Sequence, residues 1–450
     1  ADVTLADAAA AVRDGSTTPS DLVEACLARI AAVDDRIGAF CRVLADSARA
    51  EAADLSGRDP IGPLHGVPVA LKDLFFTDGV PTEANCDALT GFTPTRDAST
   101  VSRLRAAGAI VIGKTNTHEL AYGVSCPASR NPWDLDRMTG GSSGGNAAAL
   151  AARLVYGTLG TDTGGSVRIP SNYCGTTAIK TTRGLVPRDG VHLISWTYDT
   201  VGPMARTAVD CGLLLEVIAG HSPLDPFSVR RPLDSARSVG SVRLGVPGGS
   251  FFDGIEVDSE VRAVMDAGVE ALTPLVARVA SADVPHTSEH FESGAAVVFA
   301  ESASLLESLR NDRGHLIGEE PRMIMDDGAA IPGTVFAAAQ AQRQAVEADY
   351  LAVFEEQGID LIIAPVNPNQ TLAHGQVEVD GVPLIPSTTQ FTFPVNGTGL
   401  PAIALPGGFA DDGMPIGFQL IGRPFSERTL VAVGEAFQQA TGHHDRRPEL

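Results

Sequence analysis

Of all the chain, the stretch Thr139 to Pro170, TGGSSGGNAAALAARLVYGTLGTDTGGSVRIP, most restricts how it can fold. It holds two glycine-padded serine turns, Gly140 to Gly145 and Gly164 to Ser166, and the segment between them reads as a short helix followed by a buried strand. Glycine serves where backbone must take positive φ or let another group come very close. Two serines at the mouths of such turns, each leading into a helix, place hydroxyls and amides where they can converge on one reacting atom. That arrangement points to hydrolytic chemistry.

Composition removes several alternatives. The formal net charge is −22, with 55 acidic against 33 basic residues, whereas a nucleic-acid surface needs clustered Lys and Arg to neutralise phosphates. The six cysteines, Cys26, Cys41, Cys86, Cys126, Cys174 and Cys211, show no CxxC spacing, so neither a disulfide scaffold nor a zinc ribbon is indicated. The opening residues, ADVTLADAAAAVRDG, have no basic region followed by an apolar core, and the chain has no run of about 18 apolar residues. The expectation is a soluble protein of a reducing cytoplasm, without a membrane or nucleic-acid partner.

The first 35 residues read as two amphipathic helices, with Leu22, Val23, Cys26, Leu27 and Ile30 at helical spacing behind Ser20 as N-cap. Val67 to Leu71 is a short apolar run bounded by glycine and proline, a buried strand with Lys72 at its end. From Ser99, STVSRLRAAGAIVIGKTN reads as a capped helix, a glycine stop and a strand at Ile110 to Ile112. Further strands are expected at Leu154 to Leu159, Val242 to Val246 and Leu361 to Pro365, and helices at Thr207 to Ala219 and Asp258 to Ala280. The alternation predicts one α/β domain over 1–450, a large, mostly covered mixed β-sheet flanked by helices on both faces. Within it, 221–241 is expected to be a surface excursion. The 310–335 stretch lacks clear periodicity and reads either as a loop over a pocket or as distant surface.

Three motifs fail on their context. Gly141 to Gly145 matches G-x-S-x-G at Ser143, yet a nucleophile elbow follows an apolar strand and this one follows WDLDRMT. Gly160 to Ser166 has the glycine spacing of a P-loop, but serine occupies the place of the phosphate-reaching lysine. His118-Glu119 opens like a zinc-protease helix, but Tyr122 replaces the second ligand, leaving His118 a structural role.

What remains is Lys72 with Ser142 and Ser166, and around them the sequence closely resembles the amidase signature family. The matching pieces are GVPVALKD, GKTNTHELAYG, NPWDLDRMTGGSSGGNAAALAA, GTDTGGSVRIPSNYCG, DTVGPMARTAVD and NGTGLPAIALPGGFADDGMPIGFQLIG, together nearly the whole chain. The resemblance implies a Ser-Ser-Lys triad: Ser166 as nucleophile, Ser142 as the bridging serine after a cis peptide with Gly141, and Lys72 as base. It implies an oxyanion hole from the amides of Thr163, Gly164, Gly165 and Ser166, with Ser143, Asp162 and Arg168 holding the two loops by hydrogen bonds. It implies an acyl pocket faced by Ala121, Tyr122 and Gly123, with Trp196 nearby. For Tyr122 and Trp196, plain core packing is an equal alternative. No metal or cofactor is required, and family habit suggests a homodimer. Thr139 stands where many family members carry proline, a departure that leaves the triad untouched.

The chemistry is consistent on its own terms, since a serine needs a proton acceptor and a buried lysine can take the proton through a hydroxyl relay without any histidine. The substrate stays open to amides and carbamates. Because no arginine follows the nucleophile except Arg168, a neutral, partly aromatic amide is expected. The alternatives are a carbamate hydrolase, the glutaminase-type component of a tRNA-dependent amidotransferase, and an inactive binding protein.

Overall fold

A computed structural model describes residues 2–285 and 289–450. Among them are thirteen strands: β1 Phe40–Val43, β2 Pro68–Lys72, β3 Ile110–Thr115, β4 Gly157–Asp162, β5 Thr177–Lys180, β6 Thr200–Ala205, β7 Arg243–Pro247, β8 Arg278–Ala282, β9 Leu361–Pro365, β10 Glu378–Val379, β11 Val382–Pro383, β12 Ala402–Phe409 and β13 Pro415–Gly422. Eleven form one sheet in the order β1-β3-β2-β4-β6-β5-β12-β13-β9-β7-β8, and β10 and β11 make a separate hairpin. The sheet is mixed. Parallel blocks β3-β2-β4 and β9-β7-β8 flank a centre where β4, β6, β5, β12, β13 and β9 run antiparallel in turn.

Every residue of β2, β3, β4, β5, β6, β9 and β13 is buried, so helices must cover both faces of the sheet there. Helices Arg168–Cys174, Ser259–Leu272 and Glu427–Thr441 all pack on β12 and β13, whereas Gly144–Ala151 packs on β2, β3, β4 and β6. The expected α/β architecture is therefore present, with β2 and β4 adjacent and parallel. Their carboxyl ends, at Lys72 and Asp162, open on the same side, the usual place for a site in such sheets.

Several boundaries differ from the sequence expectation. Thr18, rather than Ser20, caps the helix Pro19–Ile37. Its hydroxyl accepts from the Asp21 amide and the Asp21 carboxylate accepts from the Thr18 amide, each at 3.1 Å, with Pro19 in the first helical position. The helix Ser99–Ala106 has no side-chain cap, because its N-cap position is Ala98; Ser99 is the first helical residue, and its hydroxyl donates to Asp189 at 2.9 Å. Strand β4 starts at Gly157 and not Leu154. Leu154 and Val155 are buried in a turn that follows Arg153 at φ +58°, so apolar character there reports burial without extension. The helix expected to reach Ala280 ends at Leu272, before Pro274, whose missing amide cannot continue it, and β8 follows.

The 310–335 stretch is helical rather than a loop: it holds the end of the helix Glu307–Arg313, the helix Glu319–Ala330, which packs on the helix Glu289–Leu305, and the start of Gly333–Glu356. The apolar stripe of Glu319–Ala330 is Pro321, Ile324, Met325 and Gly328, at proper helical spacing but built partly from proline and glycine. Pro321 is tolerated because it sits in the first turn. The stretch is tied to segments on both sides of β3: the Gly318 amide donates to Glu119 at 3.0 Å, and Arg313 donates to the Ala88 carbonyl at 3.0 Å.

Candidate active site

Lys72 ends β2 with its side chain fully buried. Its Nζ donates to Ser142 Oγ at 2.7 Å and to Thr161 Oγ1 at 3.0 Å. Among the described residues it has no ion-pair partner. Burial therefore drives its pKa down to about 7, against the weaker pull of Cys126, Asp199 and Asp162. Two other buried lysines show what is specific here. Lys114 is paired with Asp73 at 3.2 Å. Lys180 is also pushed down to about 7 by burial, yet among the described residues it donates only to the Thr181 carbonyl at 3.0 Å. A lowered pKa is thus not distinctive by itself; contact with a serine hydroxyl is.

Ser142 follows a cis peptide from Gly141 and is fully buried. Gly141 has no room for a side chain, since a Cβ there would lie 1.9 Å from the Ser125 carbonyl oxygen. Ser166 sits in the turn between β4 and the helix Arg168–Cys174 and is 7 % exposed. Gly165, just before it, takes φ +125°, a conformation side chains rarely adopt. The two serine turns are sewn together directly: the Ser143 amide donates to the Ser166 carbonyl at 3.1 Å, and the Ser143 hydroxyl donates to the Thr161 carbonyl at 3.3 Å.

A buried ion pair underlies the nucleophile turn. Asp162, the last residue of β4, accepts from the amides of Gly165 (2.8 Å) and Val167 (3.2 Å) and from two nitrogens of Arg168 (3.0 and 3.1 Å). Burial alone would raise its pKa, but Arg168, Lys180 and Asn396 outweigh it and bring it to about 2. Arg168, fully buried, spends its remaining donors on Gln419 Oε1 (2.8 Å), the Thr392 carbonyl (2.9 Å) and Asn396 Oδ1 (2.6 Å). One expectation is corrected here. The Gly165 amide, placed in the oxyanion hole with those of Thr163, Gly164 and Ser166, is instead committed to Asp162, which shapes the turn.

The residues expected around the acyl pocket fall in two places. Ala121 and Tyr122 are buried beside Gly123, and a Cβ at Gly123 would lie 1.6 Å from the His118 ring. Trp196 is half-buried on the wall of a cavity of about 540 Å³, with Glu301, Phe336 and Ile331, whose lining includes none of Lys72, Ser142 and Ser166.

Four residues near the centre were not singled out for the site by the sequence. Thr161 is the second partner of Lys72. Asp199 accepts from the Thr163 hydroxyl at 2.6 Å and is pushed up to about 6 by burial. Asn396 and Gln419 complete the Arg168 shell. His118, read as structural, makes a structural contact with the serine turn: its amide donates to the Ser142 carbonyl at 3.1 Å. Its ring is neutral, pushed down to about 4 by burial and then by Lys72.

Comparison with known proteins identifies the family. The family model described as Amidase matches residues 21–431. The chain belongs to the amidase signature family. Within this family of amidohydrolases it is similar to an amidase of Pseudomonas putida, 39% identical over 464 residues that cover 100% of this chain and 98% of the relative. It is equally similar to the A-type subunit of the glutamyl-tRNA(Gln) amidotransferase of Chloroflexus aurantiacus, 39% identical over 490 residues that cover 100% and 98%. Among solved structures, 6-aminohexanoate cyclic dimer hydrolase complexed with substrate aligns with a TM-score of 0.89 at 29% identity, covering 99% of this chain and 98% of that one. The family match spans both serine turns and Lys72.

Thr161→Val keeps the shape of the Lys72 pocket and removes one acceptor. It is expected to lower kcat/KM by about five- to tenfold, the equivalent of one hydrogen bond of about 1 kcal/mol, as read by steady-state kinetics.

Proposed function

We propose that this protein hydrolyses the C–N bond of a neutral amide through an acyl-enzyme on Ser166. The observation that supports it most is Lys72 Nζ lying 2.7 Å from Ser142 Oγ, buried and with its pKa lowered to about 7. A lysine in that state is neutral often enough to serve as a base at ordinary pH. In this reading Lys72 takes the proton of Ser142 as Ser142 takes that of Ser166, and Ser166 Oγ bonds to the carbonyl carbon. The tetrahedral oxyanion is met by the amides of Thr163, Gly164 and Ser166. The C–N bond then breaks, the relay returns its proton to the leaving nitrogen, and water attacks the ester to release the acid and free Ser166.

Arg168 supports the choice of a neutral substrate, because it is fully buried and each of its three nitrogens is already bonded within the protein, to Asp162, Gln419, Thr392 and Asn396. A carbamate presents the same carbonyl to the same groups. A second reading, release of ammonia from glutamine for a partner protein, is favoured by the 39% identity to the amidotransferase component over the full chain.

A panel of aryl acetamide, aliphatic primary amide, aryl carbamate and glutamine, run with wild type and Ser166→Ala, separates these readings. Turnover of a neutral amide by wild type alone supports the proposal. Turnover confined to glutamine, or to glutamine with a partner protein present, overturns it in favour of the second reading. The pH dependence follows from the same base: Lys72 is protonated and inactive below its pKa and neutral above it. The kcat/KM profile is expected to rise with pH along a limb centred near 7 and then level off, and a flat profile between about pH 6 and 8 would contradict Lys72 as base.

A further inference from the structure

The helix Glu289–Leu305 carries a carboxylate that the reaction above does not use. Glu301 is 2 % exposed and, among the described residues, has no ion-pair partner. It accepts from the Ser195 hydroxyl at 2.5 Å, from the Thr197 amide at 3.0 Å, from the Thr197 hydroxyl, and from Gln340 Nε2 at 3.4 Å. Ser195 is fully buried, and its amide donates to Asp199 Oδ2 at 3.2 Å alongside that of Ile194 at 2.8 Å. The other oxygen of Asp199 accepts from the Thr163 hydroxyl at 2.6 Å. Thr163 is the first residue of the turn that ends in Ser166.

Two buried carboxylates in series, each satisfied by neutral donors alone, are an expensive way to hold a loop, since apolar packing would do so without desolvating charge. What they add is direction: each hydrogen bond fixes an angle as well as a distance, and fully satisfied buried networks are rigid. We propose that Glu301 is a positioning residue for catalysis, acting through Ser195 and Asp199 on the Thr163 side chain and so on the backbone that presents Ser166 and the oxyanion amides. The same carboxylate forms part of the cavity walled by Trp196 and Phe336, so this chain of bonds ties that cavity to the nucleophile turn.

This inference rests on Ser166 being the nucleophile, and a probe that needs no knowledge of the substrate tests both separately. The probe is an alkyl fluorophosphonate, with the rate of Ser166 modification followed by mass spectrometry, and kcat and KM measured on whichever amide is turned over. Glu301→Gln and Thr163→Val are each expected to slow Ser166 modification and kcat on the order of ten- to hundredfold with KM little changed, as slight misplacement of reacting groups does. Because both act through one set of bonds, the double variant should be no slower than the slower single one. Thr163→Ser, which keeps the hydroxyl, should restore the rate. Losses that multiply, or variants that melt earlier while Ser166 reacts at the wild-type rate, overturn the inference. If Glu301→Gln does not fold, Thr163→Val decides alone, and a wild-type rate there overturns it. Wild type that turns over an amide but is not modified at Ser166 overturns the proposed mechanism instead.

Discussion

Replacing Ser166 with Ala is expected to lower kcat by roughly 10⁴- to 10⁶-fold, the loss found when the nucleophile of a serine hydrolase is removed. Stability should hardly change, because the substitution deletes one hydroxyl from a residue at the edge of the site, 7 % exposed, and leaves its carbonyl bonded to the Ser143 amide at 3.1 Å. Lys72→Ala should cost a comparable factor, since without a proton acceptor the Ser166 hydroxyl is a weak nucleophile. The two losses should not add. Groups that act as one unit fail together, so the double variant is expected to match the worse single one in steady-state kinetics.

The second large effect is on stability. Asp162→Ala leaves the Arg168 guanidinium fully buried beside Asn396 and Gln419 without its carboxylate, and breaking a buried pair on one side costs about 3–5 kcal/mol. A urea or thermal unfolding curve reads this directly. Asp162→Ala together with Arg168→Met should recover part of the loss, because the uncompensated charge goes with it. The same pair sets an acid limit. Asp162 titrates at about 2 in the folded protein, below its unfolded value, so the stability it contributes is complete above about pH 4 and is lost as pH falls toward 2. Asp162→Asn should flatten that part of the pH–stability curve.

Much of the centre is written in local sequence, and the physical reason is backbone. The glycines around Ser142 and Ser166 are required by a close approach at Gly141 and a positive φ at Gly165, which no other residue type serves as well. Lys72 stands out as a charge at the end of an apolar run. The residues that were not legible are ordinary ones put to use by distant contacts. Thr161 is one more β-branched residue in a strand, and only the pairing of β2 with β4 brings it to Lys72. Asp199 and Glu301 lie 36 and 106 residues from the residues they grip, so no local pattern marks them. Asn396 and Gln419 were visible as parts of matching segments but had no assignable partner until Arg168 was placed between them.

The fold shows the same division. Apolar runs located β2 and β9 closely, and the capping box at Thr18 was missed only because Ser20 is an equally acceptable cap residue by type. Burial without extension misplaced β4 at Leu154. The helix Glu319–Ala330 went unread because its buried stripe includes Pro321 and Gly328, residues that count against a helix in sequence but are harmless in a first turn and at a tight contact. At Gly328 that contact is with the backbone of Phe299, where a Cβ would lie 2.0 Å from the carbonyl oxygen.

The most direct test of the account is to locate the acyl group during turnover. Wild-type protein hydrolysing an aryl amide is quenched in acid, digested and mapped by mass spectrometry, with Lys72→Ala treated in parallel. The account predicts an acyl ester on Ser166 in the wild type and none formed on the same timescale in the variant. An acyl group on Ser142 or Ser143, or equal acylation of Ser166 in the absence of Lys72, would contradict it.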